Sequence, residues 1–258
     1  MLLKNRVAII TGGARGIGKG IAQKFAEEGS TTVIADLVTA EAQKALADIS
    51  EKGEKGLAIQ CDVSDSKQVK QMVAKVIEKY GKVDILVNNA GFGPPSRLFA
   101  DIPEEEWDKT IAVNLKGVFL CCQAVIPHMK KKGYGRIINI SSGMAVSPAF
   151  PMAHYVSAKA GVLGMTKDLA LELAPEKICV NAILPGPIRT ELWDSVVPPD
   201  ADKDAFFAEI GEKIIPMKRV GTPEDIASVA LFLASELSKF VTGEEIHVGG
   251  GLPLRYQR

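Results

Sequence analysis

Val7-Ala8-Ile9-Ile10-Thr11-Gly12-Gly13-Ala14-Arg15-Gly16-Ile17-Gly18 is the stretch that decides how this chain folds. Val7–Ile10 is a short apolar, β-branched run of the kind that forms a strand buried on both faces. It breaks into glycines, and a helical pattern follows over Gly18–Glu28, with Ile21 and Phe25 four apart and Gly29 as a stop. Glycine tolerates positive φ and lets backbone approach a ligand closely. The free N–H groups at a helix N-terminus attract a phosphate. A glycine-rich turn by itself can be only a tight turn. Placed between the first strand and the first helix, it reads as a pyrophosphate cradle. The spacing of Gly12, Gly16 and Gly18 is T-G-x-x-x-G-x-G rather than G-x-G-x-x-G.

Outward from this unit the same alternation repeats. Strands are predicted at Thr32–Ala35, Leu57–Cys61, Val83–Val87, Arg136–Ile140, Ile178–Leu184 and Glu245–Val248. Helices are predicted around Glu41–Lys52, Ser66–Tyr80, Ala153–Ala174 and Pro223–Ser235. A further helix, Glu104–Lys131, should be bent or interrupted at Pro127. This order predicts an α/β fold: a Rossmann-type doubly wound parallel sheet of about seven strands with helices on both faces. No break in composition divides residues 1–258, so one domain is expected. The segment 185–216 stands apart. It carries Pro185, Pro187, Pro198, Pro199 and Pro216 among Trp193, Phe206 and Phe207, and reads as a lid or substrate-binding loop.

Composition narrows the class. The 258 residues hold 31 Lys and Arg against 31 Asp and Glu, so no global field favours nucleic acid or an anionic membrane. Lys130-Lys131-Lys132, the longest basic run, reads as the solvated end of a helix. No uninterrupted apolar run reaches the roughly 18 residues that span a bilayer. The first residues pass directly into a strand pattern without a signal-peptide core. A cytoplasmic protein is therefore expected. Cys61, Cys121, Cys122 and Cys179 lie in apolar stretches without metal-ligand spacing, and are expected as reduced core residues with no metal site.

Asp36 closes the second strand, 18 positions after Gly18. A carboxylate there can accept both adenosine ribose hydroxyls and repel a 2′-phosphate. Arg15 points the other way, since a cation in the turn can pair with that phosphate. Leu37 supplies no second cation, and the balance favours NAD over NADP. Asp62 follows the third strand, near the expected adenine. Asn88-Asn89-Ala90-Gly91 follows the fourth, near the ribose and sheet edge. All lie at carboxyl ends of strands, where open α/β sheets bind ligands. Taken singly, Asp62 and Asn88 also suit capping or turn roles.

Alcohol oxidation releases a hydride to a cofactor and a proton to the protein. Tyr155 and Lys159 stand four apart on one predicted helix and share a face. Free tyrosine titrates near pH 10, and a neighbouring ammonium can lower that by about 1–3 units, giving a usable acid/base. The pattern Y-x-x-x-K alone equally suits surface packing. Ser142 strengthens it: it ends the fifth strand, 13 positions before Tyr155, and can hold a substrate oxygen beside the phenol. Ser141 competes for that role but should face the other way. Asn114 lies between Val113 and Leu115 in an apolar helical stretch and needs a partner. It can bind backbone, or place a water that links Lys159 to solvent.

At this point the chain resembles the short-chain dehydrogenase/reductase family, in its single-domain branch of roughly 250 residues. The resemblance rests on Thr11–Gly18, Asp36, Cys61-Asp62-Val63, Asn88–Gly91, Asn114, Ile138–Ser142, Tyr155–Lys159 and Pro185–Thr190. It implies a catalytic tetrad of Asn114, Ser142, Tyr155 and Lys159, with Lys159 also holding the nicotinamide ribose. It implies cofactor contacts at Gly12, Arg15, Gly16, Ile17, Gly18, Asp36, Leu37, Asp62, Val63, Asn89, Ala90, Gly91, Tyr155, Lys159, Pro185 and Gly186. Ile188 and Thr190 would meet the carboxamide. A homotetramer is implied as well.

The pocket is expected between Ser142–Tyr155, the turn after Gly91 and the 185–216 segment. Ser142, Phe92, Met144, Phe150, Met152 and Trp193 are its candidate substrate contacts, with Pro94, Val146, His154 and Phe206 near them. The lining is mostly apolar and suits a hydrophobic or cyclic small-molecule alcohol or ketone. Three readings follow: an NAD-linked secondary alcohol dehydrogenase or ketone reductase, an NADPH-dependent 3-oxoacyl-thioester reductase, and a cofactor-binding sensor without turnover. The intact tetrad opposes the third.

Overall fold

The computed structural model describes residues 1–50, 56–191 and 202–253. Strand β1 (Val7–Thr11) leads into helix α1 (Gly16–Glu27), then β2 (Thr31–Asp36), α2 (Thr39–Ser50) and β3 (Gly56–Gln60). Helix α3 (Ser66–Tyr80), β4 (Ile85–Asn88), α4 (Glu104–Ile111) and α5 (Gly117–Lys132) follow. The chain continues through β5 (Gly135–Ile140), α6 (Ala153–Leu173), β6 (Ile178–Pro185), α7 (Lys203–Ile214), α8 (Pro223–Ala234) and β7 (Glu245–Val248).

The seven strands form one parallel sheet in the order β3-β2-β1-β4-β5-β6-β7. Connections leave β1 toward opposite edges, which opens a crevice where β1 meets β4. Ligands bind at such switch points. The alternation of side chains along β1 explains the two layers of core. Ile9 joins one cluster with α3, α5 and α6, through residues such as Met72, Val125 and Val162. Ala8 and Ile10 join the other with α1, α2 and α8, through Phe25, Ala45 and Ile226. Every residue of β1, β4, β5 and β6 is buried, as strands covered on both faces must be.

Two expectations are corrected here. Helix α5 runs unbroken through Pro127. The irregularity lies earlier, in a π-helical stretch at Ala112–Lys116 that contains Asn114. The Asn114 amide donates to Thr110 O at 3.1 Å, and such side-chain bonding to the carbonyl four residues back loosens the regular ladder. Second, 185–216 is not all loop: Asp202 caps the N-terminus of α7, and Arg189 ion-pairs with Asp204 while lying over Phe207. Sequence reading missed this helix because the prolines around it mask its short pattern.

The continuous helical run Glu104–Lys132 is long and apolar enough to cross a membrane by length and composition. Val118, Leu120, Cys121, Cys122, Val125 and Met129 from its second half pack in the core, which accounts for that apolarity. The basic run at its end is also less free than expected. Lys132 pairs with buried Asp84, and Lys130 lies 3.0 Å from Glu172. Burial alone would raise the Asp84 carboxyl, but hydrogen bonds from Lys132, Val7 N and Lys82 outweigh it and hold it below the usual range. The four cysteines are free thiols and buried.

Candidate active site

The turn after β1 is shaped by close backbone approaches. Gly12 and Gly16 have φ of +61° and +52°, in the left-handed region that glycine adopts without strain. A Cβ at Gly18 would lie 2.2 Å from Gly12 O and 2.5 Å from Asn89 Nδ2. A Cβ at Gly12 would lie 2.8 Å from Ala90 Cα. These glycines therefore let three backbone segments meet. Thr11 and Asn89 lock the meeting: Asn89 Nδ2 donates to Thr11 O at 3.0 Å and Gly12 O at 2.9 Å. The Thr11 hydroxyl accepts from Asn89 N and Ala90 N, each at 3.1 Å, and donates to Val87 O. Sequence reasoning quoted Thr11 only as part of the motif; its hydroxyl is what ties the two strand ends together.

The N-terminus of α1 meets the requirements of a diphosphate site. Arg15 occupies the cap position without a side-chain hydrogen bond, and no acidic residue stands in the first turn. By contrast, Asp65 accepts from Lys67 N and Gln68 N at the start of α3. The first N–H groups of α1, including those of Ile17 and Gly18, are thus left to an anion. Thr190 lies beside this turn: a Cβ on Gly16 would meet its Cγ2 at 3.3 Å. Pro185 and Gly186 bring the chain there from β6, and Gly186 N donates to Val248 O at 2.9 Å. Ile188 is buried, and its Cδ1 lies where a Cβ on Gly221 would sit only 2.4 Å away. Its side chain is therefore committed to packing, and its backbone faces the remaining choice of contacts.

At the adenosine end, Asp36 Oδ2 accepts from Ala14 N at 3.1 Å and Oδ1 accepts from Val38 N at 3.3 Å. The carboxylate is held at the crevice by backbone. Leu37 and Val38 beside it are exposed apolar side chains that an adenine ring can cover. Arg15 is exposed. Asp62 has a local role, with Oδ1 accepting from Ser64 N at 2.9 Å and Ser64 Oγ at 2.7 Å. Val63 turns its side chain into the core, against Gly117. Asn88, by contrast with Asn89, points inward to Asn139 Oδ1 at 2.8 Å.

The four residues of the implied tetrad converge at the carboxyl ends of β4 and β5. The Ser142 hydroxyl lies beside the Tyr155 phenol and favours its ionised form. Ser142 Oγ also accepts from Met144 N at 3.1 Å, which fixes the hydroxyl at the strand end. Ser141 faces away, as expected, and donates to Lys159 O at 2.8 Å. Lys159 is buried, and its Nζ donates to Ile140 O at 2.9 Å and lies 5.8 Å from the Tyr155 ring centre. Asn114 is fully buried; its amide donates to Phe92 O at 2.9 Å and its Oδ1 accepts from Phe92 N at 3.2 Å. Gly91 lies between Asn114 and Lys159: a Cβ there would meet Asn114 Oδ1 at 3.1 Å and Lys159 Nζ at 3.8 Å. The backbone alternative for Asn114 is the one observed.

The electrostatics correct one sequence expectation. The Tyr155 phenol is shifted up from its ordinary value by desolvation, with the Ser142 hydroxyl pulling it back in part. Lys159 does not lower it in this state. The lysine is itself desolvated, which brings its pKa down to about 8, and one of its N–H groups donates to Ile140 O.

Around this centre, Phe92 and Met144 are partly buried, with Lys109 Nζ 4.5 Å from the Phe92 ring centre. Met152 caps α6, and Phe150 is exposed at 55%. Trp193 lies outside the described residues. His154 is completely buried on the other side of α6, with Nε2 3.2 Å from Glu106 Oε1. Arg97 and Glu106 were not foreseen as neighbours of the pocket. Among the described residues, no group of three His, Cys, Asp or Glu could hold a metal ion.

Comparisons agree with this geometry. The family profile described as "Enoyl-(Acyl carrier protein) reductase" matches residues 12–253. A (2S)-[(R)-hydroxy(phenyl)methyl]succinyl-CoA dehydrogenase subunit, BbsD of Thauera aromatica, is 42% identical over 254 residues, covering 98% of this chain and 99% of the relative. The 3-oxoacyl-[acyl-carrier-protein] reductase FabG of Thermotoga maritima is 41% identical over 257 residues, covering 98% and 99%. Among solved structures, a short-chain type dehydrogenase/reductase from Mycobacterium marinum matches with TM-score 0.90 and 35% identity, covering 98% of this chain and 97% of that one. Levodione reductase matches with TM-score 0.92 and 31% identity, covering 96% and 98%. With its parallel sheet, glycine turn and Ser142–Tyr155–Lys159 cluster, this chain belongs to the short-chain dehydrogenase/reductase family and is an oxidoreductase of that family.

Proposed function

We propose that this protein transfers a hydride between NAD(H) and a secondary alcohol or ketone on an apolar, small-molecule substrate. The Ser142–Tyr155 pair beside buried Lys159, whose Nζ lies 5.8 Å from the Tyr155 ring centre, at the edge of a crevice with an uncapped helix N-terminus, carries this reading. The nicotinamide, when bound, supplies or accepts the hydride. The chain does the rest. The N–H groups of α1 hold the diphosphate, and Asp36 accepts the ribose hydroxyls. Ser142 holds the substrate oxygen, and Tyr155 gives or takes its proton. Lys159 binds the second ribose, and Asn114 secures the Phe92 backbone beside it. Asp36, already anchored on Ala14 N and Val38 N, favours NAD by like-charge repulsion of a 2′-phosphate.

A second reading is an NADPH-dependent 3-oxoacyl-thioester reductase. The names of BbsD and FabG, both acting on acyl thioesters, support it as strongly as the apolar lining supports the first. Exposed Arg15 is its cation for a 2′-phosphate. Absorbance of the reduced cofactor with acetoacetyl-CoA and with cyclohexanone, each offered with NADH and NADPH, separates the two. Faster turnover of the thioester with NADPH would displace the first reading. Tyr155→Phe should lower turnover at least a thousandfold while NAD still binds, and activity retained in that variant would remove Tyr155 from the mechanism. We also place the protein in the cytoplasm as a homotetramer; exposed Phe119 on α5 and Leu171 on α6 are surfaces that a second copy would cover.

A further inference from the structure

The carboxylate of Glu106 joins three segments near the candidate site: α4, the stretch after β4 and the start of α6. Glu106 lies on α4, and its Oε1 is 3.0 Å from Arg97 Nε and 3.2 Å from His154 Nε2. Arg97 belongs to the stretch after β4 that begins at Phe92. That stretch is also tied to the chain just ahead of α6, since Arg97 N donates to Pro151 O at 2.8 Å and Ser96 Oγ donates to the same carbonyl at 3.2 Å. His154 precedes Tyr155 in the first turn of α6. Along α4 and the π-helical stretch, Thr110 Oγ1 donates to Glu106 O at 2.6 Å and Asn114 Nδ2 donates to Thr110 O at 3.1 Å. Glu106, Thr110 and Asn114 thus form one row, four residues apart, from the mouth to the edge of Lys159.

Packing alone does not explain this choice of residues. The His154 side chain is wholly buried, and its Nδ1 has no hydrogen-bond partner. A buried polar atom left unpaired is costly, and an apolar ring of the same size would fill the space without that cost. What the imidazole gains is one directed contact, to a carboxylate that also receives Arg97. Directed polar contacts of this kind fix one arrangement of elements among several of similar packing.

We propose that Glu106 is a positioning residue for the substrate mouth, its carboxylate clasping Arg97 and His154 so that the 92–102 segment and the first turn of α6 are held against α4. The clasp sets the distance between Phe92 and Tyr155, the two sides between which a ketone must enter. It acts through Arg97 and His154 and touches no reacting atom. The inference rests on Tyr155 being the acid/base.

The test uses Arg97→Ala, Glu106→Ala and Glu106→Gln, with Tyr155→Phe as control. Reduction of acetoacetyl-CoA and cyclohexanone gives kcat and KM, and fluorescence titration gives the NADH Kd. Hydrogen exchange over residues 92–102 is read in the NADH complex and needs no turnover. Glu106→Ala should raise KM about tenfold and Arg97→Ala about fivefold, with kcat within threefold and NADH Kd within twofold of wild type. The Arg97→Ala, Glu106→Ala double variant should be no worse than Glu106→Ala alone, because both act through one carboxylate. Glu106→Gln keeps an acceptor and should recover at least half of the loss on a logarithmic scale. Exchange over 92–102 should rise at least tenfold in both alanine variants. Arg97 is half-exposed, so its variant should fold normally. Unchanged exchange and KM in Arg97→Ala and Glu106→Ala would overturn the proposal. So would a joint loss of kcat, cofactor affinity and thermal stability in Glu106→Ala with Arg97→Ala silent, the mark of a purely structural role. Turnover retained in Tyr155→Phe would overturn the acid/base reading instead, whatever the loop does.

Discussion

Replacing Lys159 by Met should change how stability depends on pH in a way that follows directly from burial. Desolvation lowers the Lys159 pKa from 10.5 to about 8 in the folded protein. A depressed lysine is held as a cation only at a cost, and that cost is fully present below pH 8. As pH rises from 8 toward 10.5 the native lysine has lost its proton while the unfolded one keeps it. The unfolded state then binds more protons, so stability rises with pH. At 1.36 kcal/mol per pKa unit the full effect is about 3 kcal/mol, of which about 2 kcal/mol appears between pH 7 and 9.5. Other buried groups titrate here with the opposite sign, because burial pushes the Cys61 and Cys122 thiols and the Tyr155 phenol up. These contributions are common to both proteins and cancel in the difference. Urea unfolding of wild type and Lys159→Met at pH 7, 8, 9 and 9.5 therefore isolates the lysine. The wild type should gain about 2 kcal/mol on the variant across that range. At pH 7 the variant is relieved of the buried charge but leaves Ile140 O without its donor at a cost of about 1–3 kcal/mol, so the two should be close in stability. A flat difference curve would refute the reasoning and show that the Lys159 ammonium is well solvated.

Asp36→Ala should weaken NAD binding about tenfold and improve NADP, read by fluorescence titration of both. Tighter binding of NADPH than NADH by the wild type would sink the choice of NAD. Gly18→Ala should destabilise by about 3 kcal/mol or more, since its Cβ meets backbone at 2.2 Å and that turn cannot yield without breaking the Asn89 bonds. Gly164→Ala on α6 is the contrast: a Cβ there meets nothing within 4 Å, and thermal unfolding should show a gain of about 0.5–1 kcal/mol.

How much was legible from the chain depended on whether the cause was local. Val7–Thr11, the glycine turn and the α3 pattern carry their own periods, so strand, cradle and helix were readable to within a residue or two, and α3 at both of its bounds. Tyr155 and Lys159 share a face because four residues make about one helical turn, a local fact. Asp36 lies at the crevice because it ends a strand whose neighbours are fixed by the same alternation.

Tertiary structure decided the rest, because each case depends on a partner far along the chain. Pro127 looked like the breaking point of its helix, yet the irregularity is a π-helical stretch at Asn114, whose amide finds Phe92 O and Thr110 O. The Lys159 ammonium was expected to lower the phenol, but desolvation in the fold raises it, and Lys159 donates to Ile140 O, 19 residues back. Glu106 and His154 are 48 residues apart, and nothing in either local sequence announces the other. By itself the sequence determined the parallel α/β sheet, the glycine turn after β1 and the grouping of four residues near the ends of β4 and β5. Only the folded structure decided their surroundings, because desolvation and hydrogen-bond geometry belong to contacts between distant segments, which sequence periodicity does not encode.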